Sequence, residues 1–296
     1  MKASISIHFA AALVATTFVT AGEPIAPVGE ARVYKRVDDR ELKAYVLRPD
    51  HWKANDRRPA MVFFHGGGWV NGAPNQFNEH SKYFTSRGLV CIQVEYRLLK
   101  RGDAASPGPI VCIQDARTAM RWVRSHAAEL GVDPQRIAAA GGSAGGHLAA
   151  QVGMMETFDD KGDDRSISAR ADALVLFNPV LDNGPGGFGA KTIGERYPEF
   201  SPAHNVSRDD PPAILFLGSE DKLIPVATFE KFRAAMRAAG VRCDLYVYEG
   251  QGHGFFNTKN PKYFRLTVIE ADRFLASLGW LKGSPTLAEH GAQEQR

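Results

Sequence analysis

The pentapeptide Gly141-Gly142-Ser143-Ala144-Gly145 constrains this chain more than any other stretch. An apolar run, Arg136-Ile137-Ala138-Ala139-Ala140, leads into it, and a helix-forming stretch, Gly146-His147-Leu148-Ala149-Ala150-Gln151-Val152, follows. A G-x-S-x-G between strand and helix demands a very sharp turn, with the serine in strained backbone geometry. Glycines two residues to either side leave room for strand and helix to pass closely. The hydroxyl then projects above a sheet, beside the N–H groups at the start of the next helix. Without its neighbours the same pentapeptide is only a glycine-rich turn.

Two distant stretches supply those neighbours. Upstream, the apolar Pro59-Ala60-Met61-Val62-Phe63-Phe64 runs into His65-Gly66-Gly67-Gly68-Trp69. Downstream, Ala213-Ile214-Leu215-Phe216-Leu217 runs into Gly218-Ser219-Glu220-Asp221, and Gly250-Gln251-Gly252-His253-Gly254 follows the final apolar strand. The chain order is therefore a glycine-rich loop, a serine, an acid and a histidine. Ser143 is the candidate nucleophile, because a serine hydroxyl attacks only when a base takes its proton. His253 is the candidate base, since an imidazole with a pKa of about 6.5 accepts and returns protons near neutrality. Its flanking glycines suit a ring reaching over a sheet edge. His65 reads as a residue that orders its loop by hydrogen bonding, and His147 as packed on the helix after the serine. Asp221 is the candidate acid that would fix the histidine tautomer. Glu220 is adjacent and Glu249 lies just before the histidine loop, so the pattern alone does not force that choice.

Taken together, this order resembles the α/β-hydrolases, in particular bacterial esterases and lipases of the hormone-sensitive-lipase-like branch. Gly141-Gly142-Ser143-Ala144-Gly145-Gly146-His147-Leu148-Ala149 has the form seen in small acetyl- and feruloyl-esterase-like members. The resemblance spans roughly residues 31–280. It implies an α/β-hydrolase fold, a mostly parallel central sheet of about eight strands with helices on both faces. It matches Asp221, Leu223 and Pro225 to the family's Asp-x-Leu-x-Pro. It also implies an oxyanion hole from the backbone N–H groups of Gly67, Gly68 and Ala144. Many relatives carry Asp or His immediately before the nucleophile, whereas this chain has Gly142. The implied activity is that of a serine carboxylesterase on short acyl esters, acetyl foremost; joined to the export read from residues 1–21, it makes acetylated xylan a candidate. Feruloyl esterase and lipase are alternatives. A peptidase fits less well because related peptidases add a domain, and a non-catalytic ligand-binding homologue would lack His253.

Residues 1–21 read as a secretory signal cleaved after Ala21, with Lys2 as its basic start and an apolar stretch at 9–19 too short to span a bilayer, so the mature protein is expected to be secreted or periplasmic. Residues 22–282 then form one α/β domain, within reach of a single large core. A formal charge of +3 over 296 residues, with no basic cluster among aromatics, argues against a nucleic-acid partner. No other run is apolar enough for membrane insertion. No His-Glu-x-x-His or paired-cysteine motif and no G-x-G-x-x-G fingerprint is present, so neither metal nor cofactor is expected. Cys91, Cys112 and Cys243 are odd in number, so at least one stays unpaired within the monomer, and buried thiols are expected.

Alternation across residues 30–49, broken at Asp38-Asp39-Arg40, predicts an antiparallel hairpin at a sheet edge. Continuous apolar runs at 59–64, 89–94, 173–177 and 213–217 read as buried parallel strands, and 243–248 as the last strand. Helices are predicted over 77–87, 107–130, 226–239 and 263–278, the second one ended by Gly131. Asp115 reads as a carboxylate near a helix start. Tyr96-Arg97 reads as a buried ring and a guanidinium that tie down loops. Residues 182–206 are rich in Gly and Pro and suggest a long loop or small lid, and 283–296 a disordered tail.

Overall fold

A computed structural model describes residues 25–100 and 108–287. The signal-sequence reading of residues 1–21 lies outside these. The described chain forms β1 (Glu30–Val37), β2 (Arg40–Leu47), β3 (Arg58–Phe64), β4 (Val90–Val94), β5 (Val132–Gly142), β6 (Ala173–Phe177), β7 (Ala213–Gly218) and β8 (Cys243–Tyr248). These join in one sheet of order β1-β2-β4-β3-β5-β6-β7-β8. β1 and β2 form the expected edge hairpin, and β2 runs antiparallel to β4. From β4 to β8 every pairing is parallel. This is the α/β-hydrolase architecture expected from the sequence.

Parallel strands buried on both faces must be apolar at every position, and alternate residues here feed two separate cores. Ala60, Val62 and Phe64 of β3, with Ile137 and Ala139 of β5, face the helices α2 (Ile110–Ser125), α3 (Ala144–Met154) and α5 (Val226–Ala238). Met61, Phe63, Ala138 and Ala140 face α1 (Asn78–Ser86) and α6 (Pro261–Ser277) on the other side. No helix among the described residues is long and apolar enough to cross a membrane.

The structure corrects the sequence reading at several places. The helix expected over 107–130 stops at Ser125. Residues 126–130 continue as turns that close on Gly131, with φ of 65°. Val132 N–H bonds to Ala127 O at 2.8 Å and Gly131 N–H to Ala128 O at 3.4 Å, the paired bonds of a left-handed helix stop. Asp115 lies in the body of α2, not at its start. It is fully buried and is held by Lys35 Nζ at 2.7 Å and by Arg97 through both Nη2 at 2.7 Å and Nε at 2.8 Å. A buried carboxylate needs such partners more than it needs a helix dipole. Residues 182–206, expected as a long loop or small lid, hold a short helix, α4 (Ala190–Ile193), and two 3₁₀ turns. Of the tail expected over 283–296, residues 288–296 lie outside the described ones, and 283–287 make hydrogen bonds to α1 and the residue after it. Tyr83 Oη accepts from Thr286 N–H at 3.2 Å, and Arg87 Nη2 donates to Gly283 O at 3.1 Å.

The second core contains an ionisable group with no use for its charge. His80 is fully buried among Phe63, Phe77, Phe177, Phe256 and Phe264. Neither ring nitrogen has a hydrogen-bond partner among the described residues. Burial pushes its pKa down to about 3, and likewise those of His65 and His147 to about 4. All three are therefore neutral when folded, while the unfolded chain protonates them below about pH 6.5. The unfolded state then binds more protons, so stability is full above pH 6.5 and falls as the pH drops toward 4. Each such histidine contributes a slope of about 1.4 kcal/mol per pH unit in that window. The thermal midpoint is expected to fall steeply between pH 6.5 and 4.5. His80→Phe should flatten that fall by roughly a third, which thermal melts across the range would measure.

Candidate active site

The carboxyl ends of β3, β5, β6, β7 and β8 lie along one edge of the sheet, where open parallel sheets hold their sites. Ser143 follows β5 directly, with φ of 54° and ψ of −119°. That strained turn is forced by the close passage of α3 over the strand. A Cβ on Gly145 would lie 2.0 Å from Phe64 O, and one on Gly141 2.3 Å from Gly145 O. Ser143 N–H bonds to Phe177 O at 2.9 Å, and Ser143 O accepts from His147 N–H at 3.0 Å and Val180 N–H at 3.2 Å. These bonds lock the turn between β6 and α3.

Asp221 and His253 extend from adjacent strands. The loops after β7 and β8 are stitched together by Ser219 N–H to Tyr248 O at 2.9 Å and Glu220 N–H to Gln251 O at 2.9 Å. His253 Nε2 lies 2.8 Å from Ser143 Oγ, and its Nδ1 lies 2.7 Å from Asp221 Oδ2. Asp221 Oδ1 accepts from the backbone N–H groups of Leu223 at 2.9 Å and Ile224 at 3.0 Å. Burial alone would raise the Asp221 carboxyl. The histidine hydrogen bond, the histidine charge and the two backbone amides outweigh it and hold the carboxyl below its ordinary range. Glu220 and Glu249 are exposed, and it is Asp221 whose carboxylate meets His253.

A cavity of about 300 Å³ opens in front of Ser143 and His253. Gly66, Gly67 and Gly68 form one wall, with φ of 117° at Gly67 and 62° at Gly68. Ala144 begins α3, so its N–H has no acceptor within the helix. His65, expected to order this loop, is buried, stacks on Tyr96 at 4.2 Å, and has Nδ1 2.8 Å from Gly66 O. Tyr96 Oη donates to His65 O at 2.7 Å. His147 is buried as expected, with Nε2 2.7 Å from Phe200 O. No group of acidic, histidine or cysteine side chains among the described residues could hold a metal. Cys91, Cys112 and Cys243 are buried and unbridged, and burial pushes each thiol up to about 12.

Sequence reasoning missed five residues that shape this cavity: Gln76, Asn178, Phe188, Phe256 and Asn257. Asn178 carried a signal, because a polar residue that ends a buried strand at the carboxyl edge points to a site. It is fully buried, has φ of 33°, accepts from Gly254 N–H at 3.0 Å, and has Nδ2 3.3 Å from His253 Nε2. Phe188 comes from the segment expected as a loop or lid. Phe256 accounts for Gly142: a Cβ there would lie 2.4 Å from Phe256 Cζ. Gly142→Ala is expected to cost about 1–3 kcal/mol by overpacking, read as a thermal midpoint lower by roughly 3–10 °C. Phe256→Leu in the same chain should recover part of the loss.

The fold and this Ser–His–Asp arrangement define an α/β-hydrolase, and comparison with known proteins narrows the class. The BD-FAE family model matches residues 47–184 and the dienelactone hydrolase family model residues 186–288. Esterase LipC of Mycobacterium tuberculosis is 30% identical over 273 residues, covering 79% of this chain and 64% of that protein. An acetylxylan esterase of Xylanibacter ruminicola is 28% identical over 271 residues, covering 85% of this chain and 50% of that protein. The chain thus spans between half and about two thirds of the length of these curated relatives. The apo structure of Thermogutta terrifontis esterase 2 is matched over nearly its whole length: 42% identity, a TM-score of 0.82, 88% of this chain and 98% of that one. Its propionate-bound form gives 42% identity and a TM-score of 0.81, over 87% of this chain and 97% of that one. The protein belongs to the α/β-hydrolase esterase family.

Proposed function

We propose that the protein is a serine carboxylesterase that cleaves short acyl esters, acetyl foremost, through Ser143, His253 and Asp221. The observation that carries this reading is the unbroken contact from Ser143 Oγ to His253 Nε2 (2.8 Å) and from His253 Nδ1 to Asp221 Oδ2 (2.7 Å) at the mouth of a cavity. His253 Nε2 takes the hydroxyl proton as Ser143 Oγ attacks the ester carbonyl. The N–H groups of Gly67, Gly68 and Ala144 receive the oxyanion that develops, an interaction typically worth 10²–10³ in rate per donor. His253 then protonates the departing alkoxide, and the acyl group remains on Ser143. Water enters, gives its proton to His253, and attacks the acyl-enzyme; collapse frees the acid and returns the proton to Ser143. Asp221 keeps Nδ1 protonated throughout and offsets the imidazolium charge.

A cavity of about 300 Å³, small among ligand sites, supports short acyl groups. So do the propionate- and butyrate-bound forms of the Thermogutta esterase. The half-buried amides of Gln76 and Asn257 at the cavity would serve a hydroxylated alcohol. Together with the likeness to an acetylxylan esterase, they support a carbohydrate on the alcohol side. Residues 1–21 support an exported site of action, which cell fractionation tests. The central experiment is hydrolysis of p-nitrophenyl esters from acetate to long chain, beside acetate release from acetylated xylan. The reading expects kcat/KM highest for the shortest acyl groups and acetate released from the polysaccharide. A protein inactive on every ester sinks it, and activity on simple esters without acetate release removes the carbohydrate.

A further inference from the structure

The two loops that would have to cooperate in ester cleavage come from well-separated strands. The glycine wall follows β3, and the histidine loop follows β8, with β5, β6 and β7 between them. Both are rich in glycine, and neither pairs with the other as sheet. A line of side-chain amides nevertheless joins them. Gln76, in the 3₁₀ turn Pro74–Phe77, accepts from Gly66 N–H with Oε1 at 2.7 Å. Its Nε2 donates to Asn257 Oδ1 at 3.0 Å. Asn257 Nδ2 donates to Gly254 O at 2.8 Å, and Gly254 N–H donates to Asn178 Oδ1 at 3.0 Å. Each amide is oriented by what it meets. A backbone N–H fixes the Gln76 oxygen, and a backbone carbonyl fixes the Asn257 nitrogen, so the central bond has a single sense.

We infer that Gln76 and Asn257 form a clasp that sets the distance between the oxyanion donors and His253, and that they are positioning residues for the reaction. This rests on the esterase reading above. The two ends of the clasp are Gly66, which precedes the donors Gly67 and Gly68, and Gly254, which follows the base. Transition-state stabilisation needs donors within about 2.7–3.1 Å of the oxyanion and reacting groups held within about 0.5 Å. Each loop makes turn bonds within itself, such as Asn71 N–H to Gly67 O at 3.1 Å and Asn257 N–H to Gly254 O at 3.2 Å, and these do not fix one loop against the other. The hydrogen bond between the half-buried amides of Gln76 and Asn257 supplies that link. Both side chains also line the cavity, so the clasp doubles as its polar wall.

The test compares wild type with Gln76→Leu, Asn257→Leu and the double variant on p-nitrophenyl acetate and on an unactivated alkyl acetate. Each single variant is expected to lose 10- to 100-fold in kcat with KM within threefold, on both esters alike, since the oxyanion forms with either leaving group. The double variant should lose no more than the worse single one, because a clasp broken at one end is already open. The exchanged pair, Gln76→Asn with Asn257→Gln, keeps the total length of the two side chains and should recover at least tenfold over the weaker single variant. Single variants within twofold of wild type overturn the inference, as do losses that multiply in the double variant or a change confined to KM. A second readout does not need turnover. Deuterium exchange across 65–69 should speed up at least tenfold in Asn257→Leu, although residue 257 lies on the opposite loop. Unchanged exchange there refutes the clasp even if the wild-type protein hydrolyses no ester, an outcome that would by itself count against the esterase reading alone.

Discussion

Ser143→Ala is expected to lower kcat on p-nitrophenyl acetate by about 10⁴–10⁶, the range seen when a triad nucleophile is removed. KM and the thermal midpoint should stay close to wild type. The reason for the second expectation is local. The backbone around Ser143 is held by its own N–H to Phe177 O at 2.9 Å and by two amides on its carbonyl, none of which involves the hydroxyl. Removing Oγ takes away the contact to His253 Nε2 (2.8 Å) and little else. The residual rate should still exceed that of water, because the glycine wall and the cavity remain. An organophosphate separates the alternatives further. Paraoxon should add one phosphoryl group to the wild-type chain at Ser143 and none to the variant, read by intact mass. Equal labelling of both chains, or equal turnover by both, would move the chemistry to another nucleophile.

The fold was legible because its strands are buried on both faces. Runs such as 59–64 and 213–217 read as buried strands when turn signals bound them, and their order with the G-x-S-x-G turn carries the resemblance that implies the architecture. The site was legible where a residue needs an unusual backbone or a loop at a strand end: Ser143 between glycines, Gly67 and Gly68 after β3, His253 between glycines after β8. Pattern alone leaves Glu220 and Glu249 beside Asp221; its place at the end of the acid strand and the family's Asp-x-Leu-x-Pro favour Asp221, and the structure brings Asp221 alone among the three to His253. What stayed hidden depends on contacts between distant segments. Gln76 and Asn257 are ordinary polar residues until folding sets them 3.0 Å apart. In the sequence Gly142 is only a departure from the Asp or His of many relatives, whereas in the fold Phe256, remote in sequence, fills the space a side chain would need. Asp115 read as a dipole effect because Lys35 and Arg97, its partners, lie on other strands or loops. Local pattern reports backbone demands and burial; it does not report which side chains meet.

Asp221→Asn should cost about as much as the loss of a triad member while leaving the site in place, about 10⁴ in kcat. The argument turns on hydrogen-bond polarity. Asp221 Oδ1 accepts from two backbone N–H groups, those of Leu223 at 2.9 Å and Ile224 at 3.0 Å. In an asparagine the carbonyl oxygen must keep that position, since an amide N–H there would face two donors. The amide nitrogen is then turned toward His253 Nδ1, 2.7 Å away from Oδ2 in the native site. A donor facing Nδ1 forces the ring proton onto Nε2, the nitrogen that has to take the proton from Ser143. The base is thereby disabled by its tautomer, with no atom displaced. Nitrogen-15 NMR of His253 should find Nδ1 protonated in the wild type and Nε2 protonated in the variant. Asp221→Ala is the control: it leaves the ring free to choose, so its kcat should exceed that of the asparagine variant. An asparagine variant with near-native kcat, or with Nδ1 still protonated, would mean that Asp221 holds the loop and does not set the tautomer.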